Sequence, residues 1–239
     1  MDRLAEHRVL WEAKPVLRAV YEDCYRRIVA KCVSGLTLEL GGGTGNLKSF
    51  KGDIITSDMQ WAPWMDMVAD AQRLPIRDAS LDNIVMFDVL HHVESPLRFL
   101  AETQRVLNPG GRLVVCEPAI TPLSGIFYRW FHPEPVHMGV NPLDSGEITE
   151  GRDPYAANQA IPTLLFGRFQ ENLQKDCPLL RMHRPEYFSL VVYPLSGGFR
   201  PWSLIPRSMT ASLLQLENRA PAWLKRLAAF RLLGVIERV

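Results

Sequence analysis

The sequence predicts an α/β fold, a mostly parallel sheet with helices on both faces. Short apolar runs of strand length recur through its first half: LTLEL at 36–40, DIITSD at 53–58, DMVAD at 66–70, NIVMFDVL at 83–90 and GRLVVCEP at 111–118. Turn residues or helical stretches separate these runs, so strand and helix alternate. Three consecutive glycines follow the first run, in LELGGGTG at 38–45, where a strand must turn sharply into a helix. In sheets of this kind, ligands bind at the carboxyl ends of the strands.

Taken in order, the chain opens with a helical preface from about Arg3 to Ala30. Its apolar residues Leu10, Val16, Leu17, Val20, Tyr21 and Ile28 fall at helical spacing, broken once at Pro15. The clearest helix is SPLRFLAETQRVLNPGG, with Ser95 as N-cap, Pro96 at the first helical position and Gly110 and Gly111 as the stop. After Ala119 the alternation ends. Residues 120–185 are rich in aromatics and prolines and read as a lid or substrate insertion. EYFSLVVYPLSGGFRPWSLIP then reads as two strands around the turn Ser196-Gly197-Gly198, and helices over Ser208–Asn218 and Pro221–Val239 finish the chain. The expected organisation is one domain over 1–239: N-terminal helices at 1–34, a ligand-binding core at 35–119, the lid at 120–185, and the last strands and C-terminal helices at 186–239.

Charge and composition exclude several classes. With 27 basic and 26 acidic residues the formal charge is +1, which gives no global field for nucleic acid. Four scattered cysteines, Cys24, Cys32, Cys116 and Cys177, fit reduced thiols in a cytoplasmic protein rather than a disulfide frame or zinc site. The charged N-terminus lacks the apolar core of a signal peptide, and no run of about eighteen apolar residues spans a membrane. In the expected C-terminal helix Lys225, Arg226, Arg231 and Arg238 form no single basic face. The helix is expected to pack on the domain or form a homodimer contact, with peripheral membrane contact as the alternative.

The glycine run narrows the ligand. A dinucleotide fingerprint needs G-x-G-x-x-G, but the last position is Asn46 counted from Gly41 and Lys48 counted from Gly43. A P-loop needs Gly-Lys-Ser/Thr, which GTGNLK lacks. What remains is E-x-G-x-G-x-G. Together with the segments ending at Asp58, ADAQRLP, LDNIVMFDVLHHV and RVLNPGGRLVV, it resembles the class I S-adenosylmethionine-dependent methyltransferases. The small-molecule type with a ubiquinone-biosynthesis-like, type 11 domain is the nearest match in kind. The resemblance covers Leu36 to Pro118, roughly a third of the chain. It implies a Rossmann-like, seven-stranded, mostly parallel sheet with one antiparallel strand, the last two strands coming from Tyr187 to Pro206.

The resemblance also implies a cofactor site for S-adenosyl-L-methionine, with S-adenosyl-L-homocysteine as product. Glu39 matches the leading acid of the glycine loop made by Gly41, Gly43 and Gly45. Asp58 matches the acid that grips the ribose hydroxyls, Asp70 and Ala71 the adenine-binding pair, and Asp88 lies in the exit loop of the fourth strand. Met59 and Trp61 offer an apolar face for the adenine, and Glu39, an acid inside an apolar strand, calls for a nearby cation.

Methyl transfer from a sulfonium is an in-line displacement, so alignment and exclusion of water carry much of it, with a base at the open end of the fourth or fifth strand as an aid. His91 and Glu117 are the candidates for that base, and His92 reads as a packed histidine. Tyr128, Trp130, Phe131, His132 and His137 are the candidate substrate wall. The prolines of HPEPVH, 132–137, disrupt ligand spacing, so no metal site is expected there. The absence of an Asn-Pro-Pro-Tyr-like tetrapeptide leans toward a small-molecule or lipid-like acceptor at oxygen, nitrogen or carbon. A non-catalytic cofactor-binding scaffold or regulatory subunit is the alternative. An NAD(P)-binding oxidoreductase is disfavoured by the failed fingerprint.

Overall fold

The computed structural model describes residues 3–144, 149, 151–153 and 155–239. β1 (Thr37–Leu40), β2 (Ile54–Asp58), β3 (Met67–Val68), β4 (Leu81–Phe87) and β5 (Leu107–Pro118) run parallel to one another. β6 (Leu180–Met182) and β7 (Glu186–Phe188) both pair antiparallel with β8 (Arg231–Arg238), which is itself antiparallel to β5. The spatial order is β3-β2-β1-β4-β5-β8-β6, with β7 also on β8. β6 pairs with Ile236–Arg238 and β7 with Arg231–Leu233, so the two share one edge position. The eight strands thus fill seven positions, and β8 alone runs against the rest.

The pleat sorts the apolar residues onto two faces. Ile84, Met86, Leu113, Val115, Leu232 and Ile236 pack on one side with Phe99 and Leu100 of α4 (Pro96–Val106). Val85, Val114, Cys116 and Leu233 pack on the other with Leu17, Val20, Tyr21 and Ile28 of α2 (Pro15–Lys31), which follows α1 (Arg3–Ala13). Strands covered on both faces read as continuous apolar runs, which is the texture of β4, β5 and β8.

Pro221–Val239 is not one helix: only Ala222–Ala228 is helical, and Arg231–Arg238 is the buried strand β8. The apolar half of the expected C-terminal helix thus lies inside the sheet, and only Ala222–Ala228 remains as a surface helix. Tyr187–Pro206 does not supply the last two strands. It gives the end of β7 and a short helix, Val192–Ser196, for which Gly197 at φ +76° is the left-handed stop rather than a hairpin turn. α4 ends at Val106, and LNPGG begins β5, with a register shift opposite Leu81 and Asn83.

Residues 120–185 are more than a lid. After α5 (Pro122–Phe131) they supply α6 (Ile161–Leu165), α7 (Gln170–Asp176) and β6, with Leu165, Leu173 and Leu180 in the core. The part of that segment at 145–148, 150 and 154 lies outside the described residues. Among the described residues no helix is long and apolar enough to cross a membrane.

Gly234 marks how closely β8 is packed. A Cβ there would lie 2.1 Å from Cζ of Phe166, whose ring is buried. Gly234→Ala is expected to destabilise the fold by about 1–3 kcal/mol through overpacking. A urea midpoint indistinguishable from that of the parent chain would refute this.

Candidate functional site

The carboxyl ends of the parallel strands open into a cavity of about 610 Å³. β1 delivers the glycine loop to it, β2 delivers Asp58, and β4 delivers Asp88 through His92. Leu4 and His7 of α1, Phe127, Tyr128 and Phe131 of α5, and Phe199 complete the wall. His7 and Phe199 stack at 4.4 Å between ring centroids.

Each glycine of the loop has its own reason. Gly41 has φ +70°, and a Cβ there would meet Val89 at 2.3 Å; one at Gly42 would meet Thr56 Oγ1 at 2.1 Å. Gly43, at φ +50°, is different. A Cβ there would have no heavy atom beyond its own neighbours closer than 3.9 Å, and the residue borders the cavity. Gly45 does not line the cavity. It caps the short helix Asn46–Phe50 in the left-handed region, with Trp64 Cδ1 2.8 Å from where its Cβ would stand. Its role is the turn and the packing.

Asp58 and the loop are tied together: Gly43 N–H donates to Oδ2 at 3.0 Å, and Gln60 N–H donates to Oδ1 at 3.0 Å. Met59 follows it into the cavity wall, whereas Trp61 is 70% exposed and stands outside. Asp70 and Ala71 also line the cavity. Asp70 accepts from Gln72 N–H at 2.9 Å in an Asx turn, with no helix after it. Glu39 is buried beneath the loop, where its Oε2 accepts the Thr56 hydroxyl at 2.6 Å. Burial pushes its carboxyl up to about 7 although the Thr56 hydrogen bond works the other way.

The exit of β4 departs most from expectation. Asp88 lines the cavity, but its carboxylate is engaged by Arg231 of β8, Nη2 donating to Oδ2 at 2.8 Å and Nη1 to Oδ1. Arg231 is 1% exposed and lies over Tyr193 at 4.2 Å and Phe87 at 5.2 Å. Asp88 is therefore a counter-ion, not a free cofactor ligand. Nothing in the local sequence marks Arg231, a single base at the start of an apolar run.

His91 sits between two carboxylates. Its Nδ1 is 2.7 Å from Glu117 Oε2, and its Nε2 is 3.4 Å from Glu134 Oε2. Glu117, fully buried, also accepts the Val89 and Leu90 N–H groups at 2.8 Å each and stands behind His91 rather than in the cavity wall. Burial alone would lower the imidazole; the two carboxylates outweigh it and hold His91 up at about 10. It is thus a cation near neutrality and a poor base. Burial would raise Glu134, yet His91, His92 and His132 pull it down to about 2. His92 and His132 are both lowered, first by burial. Sequence reasoning missed Glu134 as the hub of this cluster.

Of the expected substrate wall, Tyr128, Phe131 and His132 line the cavity, Tyr128 donating to Phe230 O at 3.0 Å. Trp130 is 79% exposed and points away, because α5 turns the face of Ser124 and Tyr128 inward. His137 is also outside; its backbone pairs with the Asn158 side chain.

Residues 38–115 match the family model described as a methyltransferase domain. A probable S-adenosylmethionine-dependent methyltransferase of Mycolicibacterium smegmatis is 31% identical over 112 residues, covering 41% of this chain and 44% of that protein. A demethylmenaquinone methyltransferase of Streptomyces griseus is 36% identical over 72 residues, covering 28% of this chain and 31% of its own length. The chain thus spans less than half the length of these relatives. In fold, it resembles a SAM-dependent methyltransferase from Archaeoglobus fulgidus with a TM-score of 0.53 at 14% identity, covering 93% of this chain and 94% of the other. A second resemblance, to an S-adenosylmethionine-dependent methyltransferase from Mesorhizobium loti, has a TM-score of 0.51 at 16% identity, covering 90% and 96%.

Proposed function

We propose that this chain, whose residues 38–115 match the methyltransferase-domain family model, is a class I methyltransferase that transfers a methyl group from S-adenosylmethionine to a small-molecule or lipid-like acceptor. The observation that carries the reading is the Gly43–Asp58 unit: a backbone with room at its Cβ position, hydrogen-bonded to a carboxylate at the end of β2, both facing one cavity.

The residues fit such a cofactor. Asp58 would accept the ribose hydroxyls, Gly43 admits close approach, Asp70 and Ala71 would receive the adenine, and Met59 would cover it. Glu39 supplies a buried negative charge beneath the loop for a cationic group. When bound, the sulfonium supplies an electrophilic methyl group. The chain's part is to hold an acceptor in line and keep water out. Phe127, Tyr128 and Phe131 make that side of the cavity aromatic, which favours an apolar acceptor. The demethylmenaquinone methyltransferases among its relatives support a small-molecule acceptor. His91 serves by position rather than as a base, because both its ring nitrogens face carboxylates. Reduced thiols at Cys24, Cys32, Cys116 and Cys177 support action in the cytoplasm.

Calorimetric titration with S-adenosylmethionine, S-adenosylhomocysteine and NAD tests the reading. The first two are expected to bind and NAD not to. Asp58→Ala is expected to weaken binding by about 1.5–3 kcal/mol, roughly 10- to 100-fold, through loss of charge-assisted hydrogen bonds. Unchanged affinity in that variant would remove Asp58 from the site, and binding of NAD alone would overturn the cofactor.

A further inference from the structure

We infer that His91, His92 and Glu134 form a binding site for one divalent first-row metal ion of the Zn²⁺ type. Each offers a ligand atom, and the three atoms lie within 4.8 Å of one another. All three residues line the cavity. His91 Nε2 and Glu134 Oε2 are 3.4 Å apart, and His92 Nε2 and Glu134 Oε1 are 3.9 Å apart. The first distance is long for a charge-assisted hydrogen bond, typically about 2.7–2.9 Å. It is close to the edge of a tetrahedron with metal–ligand bonds of about 2.0–2.1 Å, which is roughly 3.3 Å. Two imidazoles and one carboxylate suit Zn²⁺ and its neighbours, and leave coordination positions open toward the cavity.

Two further features belong to metal sites. The remote nitrogen of His91 faces a buried carboxylate, Glu117, at 2.7 Å, and that carboxylate is itself fixed by two backbone N–H groups. This is the outer-shell arrangement that sets the tautomer and orientation of a ligating histidine. Glu134 is likewise oriented, by the side-chain amide of Gln159. The charge also fits. Arg231 already balances Asp88, which leaves Glu117 and Glu134 with two negative charges in a largely buried site. A divalent ion held at His91 Nε2 and Glu134 lies beside both carboxylates. The neighbouring set of Asp88, His91 and Glu117 also lies within ligand distance, but the Arg231 guanidinium on Asp88 would repel a cation there. The spacing His91-His92 followed by Glu134 in a proline-flanked loop conceals the cluster in the sequence, and no metal was expected from it.

The site stands on these side chains and not on the methyl-transfer reading; only its place beside an acceptor rests on that reading. The test therefore uses the full chain without cofactor or acceptor. After removal of metal with a chelator, the protein is titrated with Zn²⁺ by calorimetry and with Co²⁺ by visible absorption. One equivalent is expected, with Co²⁺ d–d bands of a four- or five-coordinate site. His92→Ala and Glu134→Gln, both at the cavity surface, are each expected to weaken binding at least about tenfold and remove the bands. Glu117→Gln is expected to weaken it about 10- to 100-fold. His183→Ala, remote from the cavity, is the control and should bind as the parent does. Absence of saturable binding, or equal binding by the parent, His92→Ala and Glu134→Gln, overturns the site whether or not S-adenosylmethionine binds.

Discussion

Asp88→Asn is expected to destabilise the fold by about 3–5 kcal/mol, the usual result of stripping a buried charge of its partner. Arg231 is almost wholly buried, and no other side-chain carboxylate hydrogen-bonds its guanidinium among the described residues. Asparagine tolerates the left-handed backbone at this position, φ +57°, so the variant removes charge without adding backbone strain. Adding Arg231→Met should recover much of the loss, since a methionine can pack on Phe87 and Tyr193 without needing a counter-ion. Urea denaturation of both single variants and the double variant measures the coupling. A loss below about 0.5 kcal/mol in Asp88→Asn, within the range of ordinary surface changes, would mean that Arg231 is neutralised in some other way.

Glu39→Gln is expected to stabilise the ligand-free protein at pH 8 while weakening its hold on a cationic ligand. The carboxyl sits at about 7 in the fold against an ordinary value near 4.5. Between these values the folded state holds more protons than the unfolded one. Its contribution is therefore complete below about pH 4.5 and is lost as pH rises through about 7. A shift of this size corresponds to a decline on the order of 3 kcal/mol from pH 4.5 to well above 7, most of it between pH 5 and 8. The glutamine variant should lack that decline. Binding of a cation favours the carboxylate, so S-adenosylmethionine affinity in the parent should rise with pH through 7, and should be lower and flatter in the variant. Identical pH slopes for the two proteins in urea would show that Glu39 does not titrate in this range.

The legible part of the molecule is the part whose local rules agree with the fold. β1, β2, β4 and β5 announce themselves because short apolar runs ended by turn residues cannot do much else, and the loop at Gly41–Gly43 needs backbone that only glycine adopts without strain. β8 was hidden because leucine and arginine favour helices and a strand buried on both faces has no alternation to display. Gly234 was the clue in it, a residue ill-suited to a helix interior. The turn at Ser196–Gly198 reads as a hairpin in the sequence because a left-handed glycine ends a helix as readily as it closes a hairpin. At the site, the position of Asp58 follows from its strand end, and that of Asp70 only from the resemblance of ADAQRLP. Arg231 and Glu134 follow from neither, since each acquires its role only when segments distant in the chain meet.

The position of β8 has a consequence for biosynthesis. It is inserted between β5 and the β6–β7 edge, all of which leave the ribosome before it. Until residues 231–238 emerge, β5 presents an unpaired apolar edge and Asp88 has no arginine. The nascent chain therefore passes through a stage in which most of the sheet exists but cannot close, and that stage is open to strand addition from other chains. Chaperone engagement is expected in that interval of translation.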